Sequence, residues 1–238
     1  MWTSTALASE HRRYRARVWR LVEAQHRIST NRLAANLGDQ AALETLAEAV
    51  KPRLPDGARH LDYLLAAPFR YGHKQASRFR KAGEKPGIFY ASEAEATAIA
   101  EAAYWRLRFF SRSPGFAPPS TTVEHSSFSV MIDSPRTLDL TRPPFDRDRT
   151  AWIDPDDYTA CQALAAEARL ATSQAIRTAS TRDPAGINVV LLDPAAFAES
   201  KPRHGKTWHL RCEGERLTAL AALPHTDRMD FSARNFGL

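Results

Sequence analysis

Residues 87–104 read GIFYASEAEATAIAEAAY, and this stretch decides the fold class. Gly87 to Ala91 is a short run of apolar and aromatic residues, the composition of a buried strand. Ser92 and Glu95 then stand at the S-x-x-E spacing of a capping box, which predicts a helix running to about Phe110. A strand passing directly into a helix makes the chain neither all-α nor all-β. Within that helix Glu101 is out of character. Its neighbours three and four positions away are Thr97, Ala98, Tyr104 and Trp105, an apolar face on which a carboxylate is costly to bury unless it is hydrogen-bonded or paired. The ordinary reading puts Glu101 at the edge of that face, in a surface pair with Arg106 or Arg108.

Working outward, residues 9–26 carry Tyr14, Val18, Leu21 and Val22 as one stripe among arginines, which predicts a helix. A second helix is expected from Ser29 or Thr30 to Gly38, and a third from Asp39 with Leu43, Leu46 and Val50 at helical spacing. Residues 52–57, rich in Pro, Gly and Asp, separate this helical N-terminal extension (1–57) from a mixed domain (58–238). In that domain residues 123–132 read as a strand, 141–157 as a loop, 158–177 as a helix and 187–192 as a strand. Pro194 opens a helical turn, and 207–220 form a hairpin about Gly214. The class is α+β.

The 238 residues include 43% hydrophobic and 25% charged side chains, enough for a sizeable core. No apolar run is long enough for a membrane span, and no secretory signal is visible at the start, so a cytoplasmic setting is expected. The two cysteines, Cys161 and Cys212, make no disulfide framework and no zinc spacing, and the eight histidines fall into no ligand pattern. No metal is expected. The net charge of +6 is uneven: residues 1–112 carry +8, mostly as arginine, and the remainder −2. Arginine's rigid fork of donors matches phosphate and carboxylate, so a polyanionic partner is admissible. P-loop and dinucleotide-fold glycine motifs are absent, as is a nucleophile elbow around Ser180.

Four stretches occur together in one order: PFRY at 68–71, SRF at 77–79, the 87–104 segment, and STRDPAGINVVLLDP at 180–194. In this they resemble the RES domain of bacterial type II toxin–antitoxin pairs, over about residues 63–225. The VEAQHRIST segment at 22–30 is similar to the helical extension of the longer RES proteins. The resemblance implies an ADP-ribosyltransferase-like mixed β core with flanking helices, and NAD+ as the substrate. It implies Arg70, Glu101 and Ser180 as catalytic residues, with Arg70, Tyr71, Arg78, Tyr90, Glu101 and Ser180 holding NAD+. In borrowed roles, Arg70 and Arg78 hold the pyrophosphate and nearby ribose, and Tyr71 and Tyr90 pack around the nicotinamide. Glu101 stabilises the cation formed as the nicotinamide–ribose bond breaks, and Ser180 is a polar positioning group. ADP-ribose then passes to a protein, phosphate or water. A Xre-like antitoxin covering the active site is the implied partner, and a nucleotide-synthesis enzyme is an implied target. The competing reading is a basic nucleic-acid-binding or pure protein-interaction module, for which no recognisable motif is present.

Overall fold

The computed structural model describes residues 2–24, 34–112 and 122–238. Eight strands form one sheet in the order β1-β2-β5-β4-β3-β6-β7-β8, and β1 also pairs with β3. Their ranges are β1 Arg12–Glu23, β2 Phe89–Ser92, β3 Val123–Asp139, β4 Ala175–Ala179, β5 Ile187–Leu191, β6 Arg203–Glu213, β7 Arg216–Ala221 and β8 Arg228–Ser232. The β1–β3 pairing closes five strands (β1, β2, β5, β4, β3) into a ring, and β6, β7 and β8 extend the sheet from β3. Strand β3 serves both parts because it is 17 residues long. Its first half lies between β1 and β6, and its end pairs in parallel with β4.

Among the described residues there are six helices: α1 Ser4–Ser9, α2 Leu37–Ala49, α3 Tyr63–Arg70, α4 Glu95–Ser111, α5 Arg149–Trp152 and α6 Thr159–Leu170. Three apolar clusters anchor all of them but α2, which has no buried residue. Leu164, Ala165 and Ala168 of α6 pack with Leu7, Ile176 and Val190. Leu65 and Phe69 of α3 meet Phe89, Phe128 and Val189. Ile99, Ala103 and Leu107 of α4 lie on Trp208, Leu210 and Leu217. Each large side chain so buried contributes on the order of 2 kcal/mol. Gly87 joins two of these parts by close backbone approach. A Cβ there would stand 2.0 Å from the Pro68 carbonyl oxygen and 2.6 Å from that of Tyr71.

Several sequence expectations are corrected. Residues 9–26 do not form a helix; β1 occupies 12–23 and pairs antiparallel with β3 from Arg12↔Thr137 to Glu23↔His125. Tyr14, Val18 and Val22 recur every four residues, a spacing that fits a helical stripe and also one face of a strand. The β-branched and aromatic content and a partner strand more than a hundred residues away decide for the strand. Helical character in the 1–57 segment is therefore confined, among the described residues, to α1, α2 and the 3₁₀ turn that begins at Asp56. The helix expected from Ser29 or Thr30 lies largely outside the described residues, and Gly38, expected to stop it, stands in the first turn of α2 instead. The third expected helix is α2.

The helix expected over 158–177 ends at Leu170, and residues 175–179 are strand β4. The chain reverses through Thr172, whose φ of 55° is a left-handed conformation few non-glycine residues adopt. Ser92 does not cap α4. It ends β2 and gives its hydroxyl to Asn188, while the Glu95 carboxylate accepts from Ser127 and Trp208. Ala94 is the N-cap, with no side-chain hydrogen bond. The strands expected at 123–132 and 187–192, the turn at Pro194 and the hairpin about Gly214 are all present.

Candidate active site

A cavity of about 530 Å³ opens where α4 leaves β2. Glu101, Ala98 and Trp105 of α4 form one wall, with Trp19 and Arg20 of β1, Tyr90 of β2, Arg78 and Arg80 of the 72–80 loop, and Arg182 completing it. Four arginines and one carboxylate therefore face the same space. The site is built to receive an anion.

Glu101 is half-buried and pairs with neither Arg106 nor Arg108. Its Oε1 accepts from Ser180 Oγ at 2.7 Å and from Asn188 Nδ2 at 2.5 Å. Ser180 in turn accepts from the backbone N–H groups of Arg182 and Asp183, both at 3.1 Å. The turn that carries it is closed by the Ser180 N–H to the Gly186 carbonyl at 2.9 Å. Gly186 is obligatory there, because a Cβ would stand 2.5 Å from Thr97 Cγ2 and 2.6 Å from Asp183 Oδ2. The second carboxylate oxygen of Glu101 has no protein partner among the described residues. The carboxylate is thus gripped from behind by β5 and the β4–β5 loop.

The arginines differ in what they have left to give. Arg78 Nη1 donates to Thr181 Oγ1 at 2.6 Å and Nη2 to the Ala179 carbonyl at 3.2 Å, tying the 72–80 loop to the end of β4. Arg80 is 6% exposed and donates Nη2 to the Gln75 carbonyl, but its Nε and Nη1 are buried with no partner. Arg20 lies 4.8 Å over the Phe89 ring, and its Nη1 is also buried and unpaired. Burial lowers its pKa to about 10. The same burial, with the charges of Arg80 and Arg20, lowers that of His73. Buried guanidinium donors without a protein partner also occur on Arg70, Arg106 and Arg169, and what marks this cavity is that Arg20 and Arg80 both border it.

Of the six residues the resemblance singled out, Arg78, Tyr90 and Glu101 line the cavity and Ser180 stands directly behind Glu101. The Tyr90 hydroxyl donates to Ser77 Oγ at 2.9 Å and accepts from the Phe79 N–H, so its ring rather than its oxygen faces a ligand. Burial raises its pKa. Arg70 and Tyr71 are not among the lining residues. Arg70 ends α3 and pairs with Glu48 of α2. Tyr71 follows it, 6.4 Å from the His73 ring. Several lining residues were not anticipated, three of which bear on the chemistry. Arg20 was hidden in a segment read as a helix, and Arg80 is the second arginine of the R-F-R triplet at 78–80. Asn188, an amide within an otherwise apolar strand, was a visible anomaly.

The RES-domain family model matches residues 52–213. The chain belongs to the RES-domain family. The matched span holds Arg78, Arg80, Tyr90, Glu101, Ser180 and Asn188, whereas Arg20 reaches this RES site from outside it. Among solved structures, the crystal structure of the M. tuberculosis MbcT–MbcA toxin–antitoxin complex is similar at 13% identity and a TM-score of 0.46, over 86% of this chain and 92% of that one. No curated protein matches the chain. Among the described residues of this RES protein, no cluster of three metal-ligating side chains is present, and no helix is long and apolar enough to cross a membrane.

Proposed function

We propose that this RES-domain protein consumes NAD+, breaking the nicotinamide–ribose bond and passing ADP-ribose to an acceptor. One observation carries the reading: a carboxylate fixed on one oxygen, with the other unpaired, shares a cavity with four arginines, two of which hold unpaired buried donors. The cavity volume is in the range that takes a ligand of this size.

Nicotinamide in NAD+ is a cationic leaving group. When the C1′–N1 bond breaks, both electrons go to the ring nitrogen and nicotinamide departs neutral, so no general acid is needed. The ribose is left as an oxocarbenium ion. Glu101 stabilises that positive charge and orients the ribose hydroxyls, and the arginines hold the pyrophosphate so that the bond under strain is fixed in place. Arg20 and Arg80 supply the positive charge that holds the pyrophosphate. Arg78, whose donors are engaged, shapes the wall with the Tyr90 ring. Arg70 reaches the ligand only if Glu48 releases it. The acceptor, whether phosphate, water or a protein side chain such as one on a nucleotide-synthesis enzyme, then closes the bond to C1′.

An enzyme that drains a central cofactor arrests growth unless held in check, so we place this protein in the cytoplasm as the toxin of a pair. A Xre-like antitoxin covers the cavity mouth, presenting carboxylates to its arginines. The test is incubation with NAD+, with and without phosphate, and mass spectrometry of the products. Free nicotinamide should appear, and Glu101→Gln should abolish it in a protein that melts as the wild type does. A variant that keeps the wild-type rate refutes the assignment.

A further inference from the structure

We infer that Asn188 is a positioning residue for the carboxylate at the centre of the cavity, acting through a four-residue hydrogen-bonded relay. This rests on the reading of Glu101 given above. Asn188 lies on β5 and is 7% exposed, among Val189, Val190 and Leu191. An amide in such a strand costs stability unless both its ends are bonded. Both are. The Oδ1 atom accepts from Ser92 Oγ at 2.7 Å, and Nδ2 donates to Glu101 Oε1 at 2.5 Å.

The carboxylate gives the relay its direction. Ser92 ends β2 and is 2% exposed. Glu101 can only accept, so it turns the NH2 of the amide toward α4, and the amide oxygen then faces β2, where the Ser92 hydroxyl donates to it. Asn188 is therefore held as a donor to Glu101 and never as an acceptor. Ser180 donates to the same carboxylate oxygen from the other side. Two donors on Oε1 set the rotamer of Glu101 and leave Oε2 as the oxygen presented to a ligand. The groups come from four segments (β2, α4, the β4–β5 loop and β5), and the carboxylate cannot rotate without breaking its contacts to Asn188 and Ser180.

Replacing the donor by an ionisable isostere tests this. Asn188→Asp puts a second carboxylate against Glu101, and the two share one proton until the pH is high enough to remove it. With that proton in place, the acid at 188 still donates to Glu101 and the relay is intact. Once it is lost, two anions repel and the rotamer is released. Other charged or titratable groups facing the carboxylate are Arg20 from β1, His73, Arg78 and Arg80 from the 72–80 loop, Tyr90 from β2, and Tyr158 and Arg182 at the opening. Asp183 is turned onto Thr97 Oγ1 at 2.6 Å. All are the same in the variant, so a new limb in its profile belongs to the pair.

The expected result is an alkaline fall in kcat for NAD+ consumption near neutral pH in Asn188→Asp, absent from the wild type, with KM within about threefold. Asn188→Leu lowers kcat roughly a hundredfold at every pH, with no new limb. A purely structural role gives a lower melting temperature and a profile of wild-type shape, and that outcome overturns the inference. Should Asn188→Asp not fold, Ser92→Ala carries the test. It leaves the amide oxygen without its donor, loosens the hold on Glu101 and lowers kcat by about fivefold at unchanged KM, and an unchanged kcat overturns the inference. Glu101→Gln separates the two levels. If it is active, the reading of the cavity fails. If it is inactive while Asn188→Asp follows the wild type, only the role of Asn188 fails.

Discussion

Replacing Arg20 with methionine should move stability and binding in opposite directions. The side chain is of similar length and keeps the contact with Phe89, but removes a guanidinium whose Nη1 is buried without a partner. Burial brings the Arg20 pKa well below the ordinary arginine value, to about 10. Each unit corresponds to about 1.4 kcal/mol, so the charged form costs the folded state about 3 kcal/mol at full value. Water in an open cavity reduces this to about 2, and loss of the cation–π contact takes back up to about 1 kcal/mol. The sign follows from a base whose pKa is depressed on folding: the cost is present at all pH below about 10 and is relieved as pH rises through that value. Arg20→Met should therefore raise the ligand-free melting temperature by about 2–4 °C at neutral pH. A charge-assisted hydrogen bond to an anion contributes about 1.5–3 kcal/mol, so affinity for ADP-ribose should fall by about 10- to 150-fold. Thermal melts without ligand, paired with calorimetric titration of ADP-ribose, read both quantities. A variant destabilised by more than about 1 kcal/mol that binds ADP-ribose as the wild type does would make Arg20 structural and refute the argument.

Three further outcomes are expected. Trp208→Phe removes the indole donor to Glu95 Oε1 (3.0 Å) at the start of α4 and should cost about 2 kcal/mol, read by urea unfolding. Gly87→Ala drives a Cβ into the Pro68 carbonyl and should cost more than about 3 kcal/mol or prevent accumulation of folded protein, whereas Gly83→Ala, where a Cβ meets nothing but φ is +73°, should cost only about 1 kcal/mol. The Glu48 pKa is held down to about 2, first by the hydrogen bond from Arg70 and then by that from Lys51. Its contribution is complete above the ordinary carboxylate value and lost as pH falls toward 2, so pepsin cleavage within residues 37–49 should rise over that window. In Glu48→Ala it should be high throughout.

Local signals carried the parts of the fold that local contacts determine. The 87–104 stretch, α4 and the 207–220 hairpin were legible because apolar period and turn residues agreed there. Strand β1 was not, because a four-residue recurrence of Tyr14, Val18 and Val22 satisfies both periods and the arbiter, β3, lies far along the chain. Strand β4 was lost for a related reason, since the alanine-rich run before it kept the helical pattern going to Thr172. At the site, Glu101 could be singled out from its own surroundings and Ser180 from the resemblance. Arg20 was invisible once β1 was misread. Asn188 stood out as an amide in an apolar strand, but its role needed Ser92 and Glu101 on either side of it. The capping box shows the converse error: a motif matched in spacing, but tertiary partners claimed both side chains.

The way β1 closes the ring has a consequence for the life of a newly made chain. Its pairing partners, Ser92 and the 125–137 run of β3, are synthesised long after it, so the first strand made is among the last that can dock. Closing a loop of that length costs chain entropy before any contact is gained, and such topologies fold slowly. Until it happens Arg20 is not beside Arg80, and until β5 follows there is no Asn188 behind Glu101. A ribosome-bound or prematurely terminated product therefore carries the individual residues but no assembled cavity.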